Sequence, residues 1–186
     1  MHSAREQHTL TLLPSGRVLA AGGASSFGGS AHASAELYDS ATGIWTPTGS
    51  MNAARQVHTA TLLPSGKVLA ASSIDDTTGT AEIFDPAVGQ WANTLAMITP
   101  HGGGSAVLLP SGLVLVAGSF NAADCELFDP VAGQWTATGA MGTHRGFAAM
   151  ALLPTGTALI AGGGAEATPL QSAEIFGDRI FANGFR

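Results

Sequence analysis

The sequence predicts an all-β fold built from four repeats of one unit, each unit a sheet of four short strands. Three observations carry this expectation. LLPSGRVLAAGG, LLPSGKVLAASS, LLPSGLVLVAGS and LLPTGTALIAGG recur along the 186 residues, each followed by a second block: AELYDSATGIW, AEIFDPAVGQW, CELFDPVAGQW and AEIFGDRIF. The internal spacing is rigid, with 8 residues from Pro14, Pro64, Pro110 and Pro154 to Gly22, Ser72, Gly118 and Gly162, and 28 from Glu36, Glu82 and Glu126 to the next of those prolines. Finally, 25 Gly and 9 Pro punctuate the chain too often for a long helix or coiled coil.

Each strand has its own signature. HTLTLLP and HTATLLP are β-branched and apolar and read as the first strand of a unit. Pro-Ser-Gly then turns the chain, the proline presetting φ and the glycine accepting a positive one. VLAAGG is the second strand, and AELYD or AEIFD the third. A tight turn such as Asp85-Pro86-Ala87-Val88-Gly89 leads into the fourth, marked by Trp45, Trp91 and Trp135, with Phe181 in the corresponding place of the last unit. A four-stranded sheet apolar on both faces is not stable alone and must stack on its neighbours, as propeller blades do. The units span 1–50, 51–96, 97–140 and 141–186, one domain over 1–186.

Only one segment of the unit varies in length. From the glycine-pair position to the glutamate the chain takes 14, 10, 8 and 12 residues. The variable loops, 23–35, 73–81, 119–125 and 163–173, are therefore the expected carriers of function.

The recurring residues resemble the kelch repeat family, particularly bacterial kelch repeats related to the central propeller of galactose oxidase. The resemblance rests on Gly22-Gly23 and Gly162-Gly163, on the aromatic at Tyr38, Phe84, Phe128 and Phe176, and on the tryptophan seven residues after it in the first three units. It implies a kelch-type β-propeller of four four-stranded blades, or part of a larger propeller completed by further blades or a partner chain. Ser72-Ser73 and Gly118-Ser119 depart from the doublet, so the second and third blades are expected to be less regular there. Galactose oxidase resemblance would also imply copper held by two Tyr and two His, one Tyr crosslinked to Cys. Tyr38 is the only tyrosine and fills a repeated core position, so that chemistry does not transfer and no cofactor is expected.

Candidate site residues come from the same register. Four residues after Met1, Met51, Met97 and Met141 stand Arg5, Arg55, His101 and Arg145, one base per unit at one end of the propeller. Arginine offers a fork matched to carboxylate and phosphate, so a ring of such bases could hold an anionic sugar. The competing reading pairs each base with the one glutamate on the third strand of its unit, because a chain with only 11% charged residues does not bury charge unpaired. His8 and His58 follow the bases by three, with Gly104 and Ala148 in the other units, too few ligands for a metal site. Asp75-Asp76 reads as a solvated loop tip, and Cys125, where the other units have Ala35, Ala81 and Ala173, as a small buried substitute.

These features predict a non-catalytic scaffold that binds protein or carbohydrate through its variable loops. The alternative is a carbohydrate-active enzyme, a kelch-type sugar oxidase or sialic-acid mutarotase-like protein, with the basic ring gripping the sugar. A net charge of -6 gives no positive field for nucleic acid, and no apolar run approaches the ~20 residues of a membrane helix. A single lysine, Lys67, richness in Ala, Gly and Thr, and a terminal DRIFANGF resembling tails of secreted proteobacterial proteins point to a secreted or periplasmic protein. MHSAREQH carries no signal peptide, and the chain is expected to be the C-terminal part of a longer one.

Overall fold

The computed structural model describes residues 1–165 and 168–177, and every regular element among them is a β-strand. The first sheet holds β1 (Thr9–Leu12), β2 (Val18–Ala21), β3 (Ala35–Asp39) and β4 (Ile44–Thr48). The second holds β5 (Thr59–Leu62), β6 (Val68–Ala71), β7 (Glu82–Asp85) and β8 (Gln90–Asn93), and the third β9 (Ser105–Leu108), β10 (Val114–Ala117), β11 (Cys125–Asp129) and β12 (Gln134–Thr138). In the fourth, β13 (Ala149–Leu152) and β14 (Ala158–Ala161) are followed by a small hairpin, β15 (Gly164–Ala165) and β16 (Thr168–Pro169), and then by β17 (Ala173–Phe176). All pairings are antiparallel, and each sheet runs in chain order. The fourth sheet thus shows three strands among the described residues, and Phe181, expected on its outermost strand, lies outside them. Among the described residues no helix is long and apolar enough to cross a membrane.

The turns form as their chemistry dictates. Gly16, Gly66, Gly112 and Gly156 close the Pro-Ser/Thr-Gly turns at φ of 81–86°, each N–H donating to the carbonyl of the leucine three residues earlier. At the third-to-fourth-strand turn, the Asp85 carboxylate accepts from the Ala87 N–H while Gly89 takes φ +66° and donates to the Asp85 carbonyl. The repeated aromatic then sits directly opposite the tryptophan: Phe84 faces Trp91 at 5.1 Å between ring centroids, and Phe128 faces Trp135 at 4.8 Å.

The first strands of successive sheets stand side by side in the order β1, β5, β9, β13, while β1 and β13 are not neighbours in this row. Each sheet has a front, facing the preceding sheet, and a back, facing the next. Val68, Ala70 and Phe84 on the front of the second sheet pack on Leu19, Ala21 and Leu37 on the back of the first. Val114, Val116 and Phe128 pack in the same way on Leu69 and Ala71, and Ala158, Ile160 and Phe176 on Leu115, Ala117 and Leu127. Three apolar layers of one design make the core.

The second unit keeps the shape of its turn in spite of its serines. Ser72 sits at φ +58°, beside +64° for Gly22 and +65° for Gly162, so the expected irregularity is absent at that position. At the next position Gly23 and Gly163 are at +87° and +80°, whereas Ser73 and Ser119 do not take a positive φ. Ser73 instead bonds both ways with Gln56, accepting its N–H and donating to its carbonyl. Ser72 is fully buried, and its hydroxyl has no protein partner. A side chain held in the left-handed region costs about 1–2 kcal/mol. Ser72→Gly is therefore expected to raise stability by about 1 kcal/mol, read as a higher urea midpoint; an unchanged or lower midpoint would contradict the strain.

Candidate functional site

The four bases of the repeat occupy equivalent places, each gripping the glutamate of its own unit. Arg5 meets Glu36 at 3.1 Å, Arg55 meets Glu82 at 3.2 Å, His101 meets Glu126 at 3.2 Å and Arg145 meets Glu174 at 2.9 Å. Arg55 and Arg145 are among the largest fully buried side chains of the protein. The same guanidiniums tie down the end of the variable loop: Arg5 donates to the Gly22 and Ser34 carbonyls, Arg55 to the Thr80 carbonyl, and Arg145 to those of Gly162 and Ser172. Each glutamate also accepts backbone N–H groups from the segment leading to the base: His2 and Ser3, Asn52 and Ala53, Ile98 and Thr99, and Gly142. Burial alone would raise the Glu36 carboxyl, but the N–H and ring of His2, the N–H of Ser3 and the Arg5 guanidinium hold it at about 2. Base and acid together latch the start of each unit to its third strand.

The open space lies elsewhere, though on the same loop side. A cleft of about 1100 Å³ is lined by residues of all four units, among them His8, Phe27, Gln56, His58, Asp75 and Phe147. His8 and His58 thus come together, while Arg5, Arg55, His101 and Arg145 are not in the lining. Two aromatics stand exposed at the cleft, Phe27 at 86% and Phe147 at 56%, and Phe120 supports Phe147 edge to face at 4.6 Å. Phe27 and Phe120 belong to variable loops 23–35 and 119–125.

The walls of the cleft are strained. Gln7, Val57, Gly103 and Phe147 all follow the base of their unit by two, all line the cleft, and all have positive φ: 57°, 50°, 73° and 56°. For β-branched Val57 this is a costly conformation, and such outliers persist where the surrounding structure enforces them. Backbone bonds do so here, from the Val57 N–H to the Gln7 carbonyl at 3.0 Å and from the Phe147 N–H to the Gly103 carbonyl at 2.8 Å. Beneath them, Gln56 donates to Asp75 and to the Gly29 carbonyl, and Nε2 of His58 bonds the Thr9 hydroxyl at 3.0 Å. The Gln56 Oε1 and the Nδ1 atoms of His8 and His58 are buried without a protein partner. Of these lining residues the sequence singles out only the histidines and the loops; a non-glycine residue at positive φ leaves no compositional trace.

His58 is held neutral. Burial, then the Arg55 charge, then His8, depress its pKa to about 3, and burial with the Arg5 charge lowers His8 in the same direction. The unfolded chain takes up a proton near 6.5 while the folded one does not until about 3, so stability is present above 6.5 and falls as the pH drops through that window. Between pH 7 and 5 the loss assignable to His58 is about 2 kcal/mol. His58→Gln is expected to flatten this part of the stability profile, measured by urea unfolding at both pH values; an equal slope in parent and variant would contradict it.

The remaining candidates are structural. Cys125 is buried, its thiol pushed up to about 12 by that burial. Asp76 is occupied within its own loop, accepting from Thr78 and Thr80. Among the described residues no three His, Cys, Asp or Glu side chains are grouped as a metal site would need. No family model matches the chain, and no curated protein does either.

Proposed function

We propose that this chain is a kelch-type propeller module that binds a carbohydrate, without catalysing a reaction, in the cleft on its variable-loop side. The observation that carries this reading is the pair of exposed aromatics, Phe27 and Phe147, lining one cleft together with Gln56, Asp75, His8 and His58. Sugar rings offer one apolar face and a rim of hydroxyls, which suits flat aromatic surfaces beside fixed polar groups. Strain collected at one rim, where three units place a non-glycine residue at the same positive-φ backbone position and the remaining unit a glycine, supports a built site rather than an accidental gap. A neutral sugar fits better than an anionic one, because Arg5, Arg55, His101 and Arg145 are each engaged by a glutamate and lie outside the cleft lining.

The test is calorimetric titration with neutral oligosaccharides of gluco, galacto and manno series, with sialyllactose as the anionic comparison. At least one neutral series is expected to bind. Phe147→Ala, a change at an exposed position, is expected to weaken it about tenfold, or about 1.4 kcal/mol. Binding of sialyllactose alone, unaffected by Phe147→Ala and abolished by salt, would favour the enzyme-like basic-ring reading instead.

A further inference from the structure

Charge is distributed unevenly in the cleft. Among the described residues its lining holds no Lys or Arg, and burial with the charges of Arg5 and Arg55 keeps His8 and His58 neutral, so Asp75 is the one ionised side chain there. Asp75 is exposed and makes no ion pair among the described residues, whereas its neighbour Asp76 stands 3.9 Å from Arg55 and Asp85 meets Lys67 at 2.9 Å. The cleft therefore offers a ligand one negative charge and no positive one.

That carboxylate is held in place by Gln56. The other units have Glu6, Gly102 and Gly146 at this position, directly after the base of the latch. Gln56 is only 7% exposed, and its carbonyl accepts from the Ser73 hydroxyl and the Ile74 N–H at the start of the second variable loop. Its side-chain amide donates to Oδ2 of Asp75 at 2.7 Å and to the Gly29 carbonyl of the first variable loop at 3.3 Å. Gln56 thus ties the loop that carries Asp75 to the loop that carries Phe27. What the pair leaves over is acceptor capacity, since Oδ1 of Asp75 and Oε1 of Gln56 have no protein donor while both amide hydrogens are spent.

Resting on the carbohydrate reading above, we propose that the cleft selects an amino sugar whose amine is free and protonated, with the ammonium meeting Asp75. An ammonium brings three donors and no acceptor, which matches a place that offers acceptors and negative charge without a competing cation. The exposed aromatics favour the same charge, because the face of a ring is the negative part of its quadrupole. A carboxylated or sulfated sugar meets the opposite conditions: Asp75 repels it, and no cation of the described lining answers it.

The test is calorimetric titration with oligomers of glucosamine and of galactosamine, each with the amines free or N-acetylated, at physiological salt and about pH 6, where amine and carboxylate are both charged. The free-amine form of at least one series is expected to bind about fivefold more tightly than its acetylated form, as suits a pair at an exposed carboxylate. Asp75→Asn keeps an acceptor for Gln56 and removes the charge, so it is expected to abolish that preference while leaving binding of the acetylated form unchanged. The protein's net charge of -6 attracts any cation weakly, so Asp129→Asn, the same charge change at a turn outside the cleft, serves as the control and is expected to keep the preference. Equal affinity for free and acetylated forms in the parent, a preference that survives Asp75→Asn, or one that Asp129→Asn also removes would overturn the amino-sugar proposal and leave the carbohydrate reading standing. Binding of no sugar, neutral or amino, would overturn both. A plain alkylamine that displaces the amino sugar at equal concentration would show that the amine alone is recognised, and would overturn the proposal as well.

Discussion

Arg55→Ala is expected to lower stability by about 3–5 kcal/mol, because it strands the Glu82 carboxylate, which is fully buried, without its cation. It also removes the donors that hold the Thr80 carbonyl and hydroxyl at the end of the second variable loop. With a denaturant slope of about 2 kcal/mol/M, the urea midpoint should fall by about 2 M. Removing both charges does not restore everything, since Glu82 also accepts the Asn52 and Ala53 N–H groups at 2.6 and 3.0 Å. The better companion change is therefore Glu82→Gln, which keeps an acceptor while discarding the charge. Arg55→Met with Glu82→Gln should recover part of the loss. An Arg55→Ala protein that unfolds at the parental midpoint would show that the latch does not stabilise the fold.

The second large effect is expected from Gly22→Ala. Gly22 has φ +64°, and a Cβ there would stand 2.4 Å from the Arg55 carbonyl oxygen and 2.8 Å from the His58 ring. Both lie in the segment that carries the neighbouring latch, so relief of the clash must shift backbone. Conformational strain and overlap together should cost roughly 2–4 kcal/mol. Gly16→Ala is the control: its φ is +82°, but no atom lies within 4 Å of the added carbon, so only the conformational part is lost. If the two variants lost equal stability by urea unfolding, the overlap would contribute nothing.

Most of the sheet architecture was legible in the residues, for a definite reason. Turn chemistry at Pro14-Ser15-Gly16 and the Tyr38–Trp45 spacing are local constraints, and each is repeated often enough to separate signal from chance. The residues alone allow both a pairing of Arg55 with Glu82 and an open basic ring, since one base and one acid per unit are visible in the sequence but the space between them is not. The N–H groups of Asn52 and Ala53 on the same carboxylate could not be read, because backbone donors are common to every residue type. The cleft was hidden for another reason. Gln7, Val57 and Phe147 share no chemistry, only a backbone conformation set by neighbouring units, and tertiary context of that kind does not appear as a pattern of side chains.

The division of labour between the latch and the apolar layers has an evolutionary consequence. Charge pairing stays inside a unit, whereas oily surface joins each unit to the next in one fixed orientation. A gene segment encoding one unit can therefore be duplicated or deleted and every surviving junction still finds the surface it was selected against. Length changes in the loop between the second and third strands are cheap where they fall between the loop ends, which the latch and the core hold in place. Such a chain can change its number of sheets and rewrite its cleft by separate genetic events, neither of which requires the other.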